Sequence, residues 1–318
     1  MRKFWLVLRQ AVDEFLNDNG MKLSASLSYY TIFSLGPVLM IVIALAGIFF
    51  GREAVEGKIY YQINGLVGNQ AAAQIQEIIQ NIEQSHESSS GAIFGVIVLI
   101  IGATGVFTEI QDSINYIWSI KAKPKRGYIK LLFNRFISFS LIIGFGFILM
   151  VSLVLHALID LLYEKLARFF ADTILFLFQG INYLLLFGII SVLFTIIFKV
   201  LPDARIRWRD AYVGACFTSV LFMIGKFAIG FYLGNSDVSA TFGAAASLII
   251  LLLWVYYTSI ILFFGAEFTK VYTLNFGGGI VPEDTAVFII KQESKELHIT
   301  KEVLDKSDPI KNDPESKK

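Results

Sequence analysis

Residues 248–266 read LIILLLWVYYTSIILFFGA, a run that contains no charged side chain. A helix rises about 1.5 Å per residue and needs roughly 20 residues to cross a hydrocarbon core of about 30 Å. Because backbone N–H and C=O groups inside lipid must be satisfied within the segment, an apolar run of this length indicates a transmembrane helix. The run belongs to the last of six such windows. In chain order they are Leu23–Gly51, Ser88–Thr108, Phe136–Ile159, Thr173–Phe198, Ala211–Gly234 and Val238–Ala266.

Lys and Arg are concentrated in alternate loops between these windows. Four precede the first window, six lie between the second and third, four lie between the fourth and fifth, and eight follow the last. The opposite loops contain two, two and none. Because cytoplasmic loops carry the excess of basic residues, this bias predicts that both termini lie in the cytoplasm. The predicted fold is therefore all-α: a polytopic membrane helical bundle with six transmembrane helices, N-in and C-in, in the bacterial plasma (inner) membrane.

The chain divides into three predicted regions. They are a cytoplasmic interfacial helix (1–22), a six-helix transmembrane domain (23–275) with an external loop at about 52–90, and a cytoplasmic, partly disordered tail (276–318). In the first region, apolar residues recur at helical spacing, namely Phe4, Leu8, Val12 and Phe15. This stripe is typical of a helix that lies on the cytoplasmic leaflet, and packing against the bundle's own inner surface is the alternative.

Composition and motifs exclude several function classes. A hydrophobic fraction of 55% and a mean hydropathy of +0.64 leave no room for a large soluble domain. The net charge of +1 provides no general attraction to nucleic acid. The chain contains no HExxH, CxxC or GxxxxGK[ST] motif, and its three histidines lie far apart. We therefore expect no enzyme activity, no catalytic residues, no metal site and no cofactor.

Charged residues inside or beside the apolar windows are the remaining candidates, because charge in a membrane is costly and usually functional. Lys226 lies eight residues before Gly234, about 12 Å from that end of its window. The interpretations are a lysine that snorkels or has a structural partner, and a lysine with a substrate or proton-coupling role. Pro37 interrupts the backbone hydrogen bonds of the first window, as in many transporters and also in helical bundles with no transport role.

A second group of candidates lies at the cytoplasmic ends of the windows. Glu109 and Asp112 are one turn apart, with Asn115 on the same face. They form either a gate or cation site, or ion pairs with a basic loop. Glu267 ends the sixth window, and Lys270 follows one turn later, which favours either gating or an interfacial cap and ion pair. The candidate ion-pair loop contains Asp203, Arg205, Arg207, Arg209 and Asp210.

Four blocks of sequence together resemble the YihY/BrkB family of bacterial inner-membrane proteins, members of which have also carried a ribonuclease BN label. The blocks are Ala25–Pro37, Phe107–Trp118, Leu201–Ala211 and Gly243–Glu267. The resemblance covers roughly residues 1–275, and the tail after Gly279 is expected to fall outside it. It implies a six-span protein with both termini inside, of a kind described as virulence factors or exporters without an assigned substrate.

These observations lead to three expectations of function. The first is a transporter or exporter-like protein of unknown substrate. The alternative is an envelope-organising or virulence-related membrane protein without transport. The least favoured is a ribonuclease, which would need a cytoplasmic cluster of metal ligands or acid/base groups. The expected partners are the lipid bilayer and an unknown solute or envelope partner, with no nucleic acid, and a homo-oligomer is left open.

Overall fold

Most of the residues that the structure describes are helical. The computed structural model describes residues 2–34, 105–123, 173–235 and 246–290, together with the single positions 57, 60, 73, 76 and 144. The helices in these ranges are α1 (Arg2–Asn17), α2 (20–34), α3 (105–117), α4 (Thr173–Val200), α5 (Trp208–Asn235) and α6 (Ala246–Asn275).

Several predicted features lie outside the described residues. They are Pro37, the third apolar window, most of the second window, most of the external loop at about 52–90, and the tail beyond residue 290. The chain divides into two compact units, Met1–Phe288 and Ile289–Lys318. All the contacts described below belong to the first unit.

Three of the described helices contain segments that are long and apolar enough to cross a membrane. These segments are Tyr183–Val200, Trp208–Ile229 and Leu248–Asn275. They coincide with the fourth, fifth and sixth apolar windows and support the prediction of a helical membrane bundle. The largest difference is at the end of the sixth window. The sixth window ends at Ala266, yet α6 continues to Asn275, because α1 covers its last turns and provides partners for their polar groups.

Helices α5 and α6 approach each other closely through glycine. A Cβ atom added at Gly214 would overlap Thr269, and one added at Gly265 would overlap Thr218. The order of these pairs shows that the two helices are antiparallel. Small residues allow the close backbone approach on which helix association in lipid depends. On the other side of α5, the hydroxyl groups of Ser191 in α4 and Ser219 in α5 are hydrogen-bonded at 3.1 Å.

A large apolar core lies where α3 meets the ends of α4 and α6. Ile114 and Ile117 of α3 are fully buried there, beside Phe198 of α4. The indole of Trp118 is also buried, and its Nε1 donates a hydrogen bond of 3.1 Å to the backbone carbonyl of Ala266. This bond satisfies the polar end of a side chain whose rings contribute apolar burial.

The same end of the bundle carries four short strands that the all-α prediction omits. β1 (Ile120–Ala122) pairs antiparallel with β4 (Ala286–Phe288), and β2 (Ala204–Arg205) pairs antiparallel with β3 (Val281–Pro282). The chain after α6 therefore folds back onto the loops that follow α3 and α4. Gly279, with a φ of 77°, supplies the left-handed conformation in the connection. Strands of two or three residues are too short to show an alternating sequence pattern.

Candidate functional site

Four titratable side chains converge where α1 packs on α6. Glu14 lies in the last turn of α1 and Asp18 directly follows that helix, whereas Glu267 and Lys270 come from α6. The Nζ atom of Lys270 lies 2.8 Å from Oε2 of Glu14, 3.4 Å from Oδ2 of Asp18 and 3.3 Å from Oε2 of Glu267. We call these four residues the charge cluster.

A tight turn at the end of α1 fixes the acidic residues of the cluster. The backbone N–H of Asp18 donates to the carbonyl of Glu14 at 2.8 Å, and Asn19 then adopts a positive φ of 55°. Helix α2 begins at Gly20, where a Cβ atom would overlap the ring of Phe15. Glycine therefore allows the ring to close the turn. Because Glu14 and Asp18 are four residues apart, they project from the same side of α1 towards α6.

Apolar contacts hold α1 against α6 beside the charge cluster. They are made by Val7, Ala11, Phe268 and Val271. The buried face of α1 is rotated from the stripe seen in the sequence, because Phe4 and Val12 of that stripe remain 54% and 41% exposed. Helix α1 thus packs on the bundle along one face and presents further apolar side chains on another.

The acidic side chains of the cluster are largely removed from solvent. The exposed fraction is 0% for the Glu267 side chain, 7% for Asp18, 10% for Lys270 and 37% for Glu14. Among the described residues, Oε1 of Glu267 has no hydrogen-bond partner. Oxygen atoms of the three carboxyl groups lie within 4.8 Å of one another. Three carboxylates therefore face a single ammonium, and such an excess of buried negative charge is costly.

Only half of the charge cluster can be read from the sequence. Glu267 and Lys270 are three residues apart in one helix, so their pairing follows from helical spacing. Glu14 lies 256 positions from Lys270, and no local pattern connects them. The sequence offers one indication that Glu14 and Asp18 belong to the cluster. They are four residues apart, as on one side of a helix, and they border the face of α1 that contains Ala11.

Asn115 of α3 joins the candidate ion-pair loop through two hydrogen bonds. Its Nδ2 donates to Oδ2 of Asp203 at 2.9 Å, and its Oδ1 accepts from the backbone N–H of Asp203 at 2.8 Å. On the same helix, Glu109 is half-buried and Asp112 is exposed. A pairing of these two carboxylates with the arginines of the loop stays a prediction.

The rest of this loop contacts the segment that follows α6. Oδ2 of Asp210 accepts a hydrogen bond of 2.9 Å from the backbone N–H of Gly278. Arg205 and Asp284 form an exposed ion pair at 3.4 Å. The side chain of Arg207 lies against Gly278, where a Cβ atom would overlap it, whereas Arg209 is exposed. The loop therefore holds the returning chain and does not converge with the charge cluster.

Lys226 lies in α5, apart from the charge cluster and from the candidate ion-pair loop. Its side chain is half-buried, and it makes no ion pair or hydrogen bond with the part of the chain that the structure describes. The preceding residue, Gly225, packs directly against the ring and hydroxyl of Tyr257. The helix backbones are therefore close on one side of Lys226, while Phe227 on its other side is exposed.

These features define an α-helical membrane protein with charged groups inside its bundle. The chain belongs to the BrkB family, because the family model described as "Virulence factor BrkB" matches residues 11–286. The match includes β3 and reaches β4. The expectation that the tail after Gly279 falls outside the resemblance is therefore wrong for residues 280–286, a segment that pairs with the loops after α3 and α4, whereas residues 287–318 do lie outside the match.

Curated relatives are described only as membrane proteins. The UPF0761 membrane protein of Saccharophagus degradans is 27% identical over 259 residues, which cover 81% of this chain and 57% of the relative. That of Rhodospirillum centenum is 26% identical, with coverages of 83% and 56%. That of Aeromonas salmonicida is 27% identical, with coverages of 76% and 80%. The chain thus spans little more than half the length of the first two relatives. No solved structure matches.

Proposed function

We propose that the chain is a transporter or exporter-like protein of the bacterial plasma membrane, with six transmembrane helices and both termini in the cytoplasm. Its solute would be small or amphiphilic, and its chemical identity is left open. The observation that supports this proposal is Lys226, a half-buried lysine in an apolar helix with no ion-pair partner among the described residues.

A lysine in this position needs a polar environment. Insertion into the middle of a membrane helix costs about 2.5–3.5 kcal/mol for a basic residue. Lys226 lies about 12 Å from Gly234 by helical rise, and a lysine side chain can cover only part of that distance by snorkelling. A water-filled cavity beside α5 would remove the cost, and a cavity at this depth is what a solute pathway requires.

The energy source follows from the motifs that the chain lacks. It contains no GxxxxGK[ST] loop to cradle the phosphates of a nucleotide. Transport would therefore use an ion gradient or the gradient of the solute itself. In this proposal Pro37 provides a break in the first span, and Glu109, Asp112 and Glu267 are the candidate gating residues at the cytoplasmic end.

The test begins with a deletion strain that is screened for altered sensitivity to amino acids, sugars, polyamines and amphiphilic dyes. Flux of the responding solute is then measured in vesicles that contain the purified protein. We expect protein-dependent flux, and we expect Lys226→Met to abolish it while the protein accumulates normally. Lys121→Met, which removes an exposed lysine outside the helices, is the matched control and should retain flux.

Two results would contradict the proposal. Equal flux with and without protein across the whole panel would favour the alternative of an envelope-organising protein. Full complementation by Lys226→Met would show that this lysine only snorkels, since methionine keeps the apolar stem and removes the charge.

A further inference from the structure

We propose that Asp18 and Glu267 form a proton-binding site, in which one proton is shared between the two carboxyl groups and fastens the end of α1 to α6. This site is separate from Lys226, and the inference does not depend on transport.

Lys270 supplies the hydrogen-bond donors of the charge cluster. The ammonium group of Lys270 has three N–H donors. Its three neighbours at hydrogen-bonding distance are the carboxylates of Glu14, Asp18 and Glu267. Every donor of Lys270 is therefore in use, and none is left for Oε1 of Glu267. That atom is fully buried and lacks a hydrogen-bond partner among the described residues.

The hydrogen-bond acceptors that matter here are the carboxyl groups of Asp18 and Glu267. Carboxyl oxygens of Asp18 and Glu267 lie within 4.8 Å of each other, and both side chains are almost completely buried. Two ionised carboxylates at this separation repel each other and cannot hydrogen-bond, because each is only an acceptor. One proton between them supplies the missing donor and removes one of the two excess negative charges. Pairs of carboxyl groups that share a proton in this way are known from aspartic proteases.

Groups from several elements surround the carboxyl groups of Asp18 and Glu267. On α1 and α6 they are the remaining members of the cluster, Glu14 and Lys270. Helix α5 contacts α6 through Thr218 at Gly265, and Trp118, the residue after α3, contacts it at Ala266, so the residues next to Glu267 meet uncharged partners. On α2, the side chain of Lys22 is exposed.

The ligand is a proton and not a metal ion, because Lys270 already occupies the position between the carboxylates. Mg²⁺ and Ca²⁺ take six or more oxygen ligands at about 2.0–2.6 Å. Only three carboxyl groups converge here, and the ammonium group lies 2.8 to 3.4 Å from an oxygen of each. A metal ion would have to displace the lysine, whereas a proton binds to a carboxylate oxygen and leaves the lysine in place.

The consequence is a connection between α1 and α6 that depends on protonation. When the proton is bound, Asp18 and Glu267 attract each other and Lys270 links both to Glu14. When the proton leaves, a second buried negative charge appears and the two carboxylates repel each other. The ion pairs of Lys270 with Glu14 and Asp18 and the apolar contacts around Ala11 and Phe268 must then hold the end of α1 against this repulsion.

Infrared difference spectroscopy of the purified full-length protein tests the proposal. We expect a carboxylic acid C=O band near neutral pH that shifts in D₂O and disappears at alkaline pH. Glu267→Gln and Asp18→Asn should each abolish the band. Both variants should still fold, because the amide N–H can donate the hydrogen bond that the proton provided. Glu283→Gln, which changes an exposed glutamate, should leave the band intact.

Four outcomes would overturn the proposal. The band could be absent from the unmodified protein, or it could persist in both Glu267→Gln and Asp18→Asn. Failure of both variants to fold, judged by far-UV circular dichroism and size exclusion, would show that the amide cannot replace the proton. A melting temperature that rises with Mg²⁺ or Ca²⁺ in the unmodified protein but not in Glu267→Gln would identify a metal site instead.

Discussion

Asn115 and Asp203 are polar residues 88 positions apart that exchange two hydrogen bonds in an apolar core. Both residues are more than nine-tenths buried, at 4% and 7% relative exposure. When one partner of a buried pair is removed, the other group is left unsatisfied, which costs more than the bond itself contributes. The ion pair of Arg205 and Asp284 is different, because both side chains stay in contact with water.

Asn115→Ala is therefore expected to lower the free energy of unfolding by about 1–3 kcal/mol, since it removes two hydrogen bonds from the buried Asp203. Asp284→Asn is the matched control and should leave stability almost unchanged, because exposed ion pairs contribute little. Thermal unfolding of both variants in the same detergent measures the difference. Equal melting temperatures for the two variants would contradict this account.

At the scale of single residues, the sequence predicts which charged groups are unusual but not what they contact. Glu267 and Lys226 could be selected because each lies in or beside an apolar window, where charge is costly. Glu14 and Asp18 pair with Lys270, and Asn115 pairs with Asp203. These partners are distant in the chain, so the contacts form only in the folded protein. No pattern within one helix specifies such a long-range contact.

Helices α4, α5 and α6 could be predicted because an apolar run of sufficient length is a local property of the chain. Their packing depends on finer detail. In the α5–α6 interface, Gly214 and Gly265 each face a threonine of the opposite helix. Such pairs cannot be predicted from the windows alone, because the register between two helices depends on the whole contact surface. The short strands could not be predicted for a different reason, since each contains too few residues for a periodic pattern.

Gly265→Ala should destabilise the bundle by about 1–3 kcal/mol, because the added methyl group overlaps Thr218 and forces α5 and α6 apart. Gly188→Ala is the matched control in α4, where an added Cβ meets nothing within 4 Å. The control should be neutral or more stable by up to about 1 kcal/mol, because alanine has the higher helix propensity. Melting temperatures in detergent provide the comparison. A Gly265→Ala variant as stable as the control would show that the close approach does not limit packing.

The whole molecule brings its basic segments to one end. The pairing of β1 with β4 and of β2 with β3 joins the loops after α3 and α4 to the segment after α6. The charge cluster ties α1 to the last turns of α6, close to the same end. In the proposed six-span topology, two spans separate the loop after α3 from the loop after α4, so both loops are expected at the same end. The strand pairing supports the proposed third span, and the basic excess of the joined segments supports a cytoplasmic location for this end.

Reporter fusions test this orientation across the whole chain. A fusion after Lys318 and an insertion within residues 121–130 should both report a cytoplasmic location, because both sites belong to segments rich in Lys and Arg. An insertion within residues 70–85 should report an external location, because that loop lies between the first two proposed spans and its neighbourhood carries few basic residues. Paired reporters, one active only outside and one active only inside, check each site independently. Opposite locations for the fusion after Lys318 and the insertion within residues 121–130 would contradict the proposed topology, since residues 120–122 pair with residues 286–288.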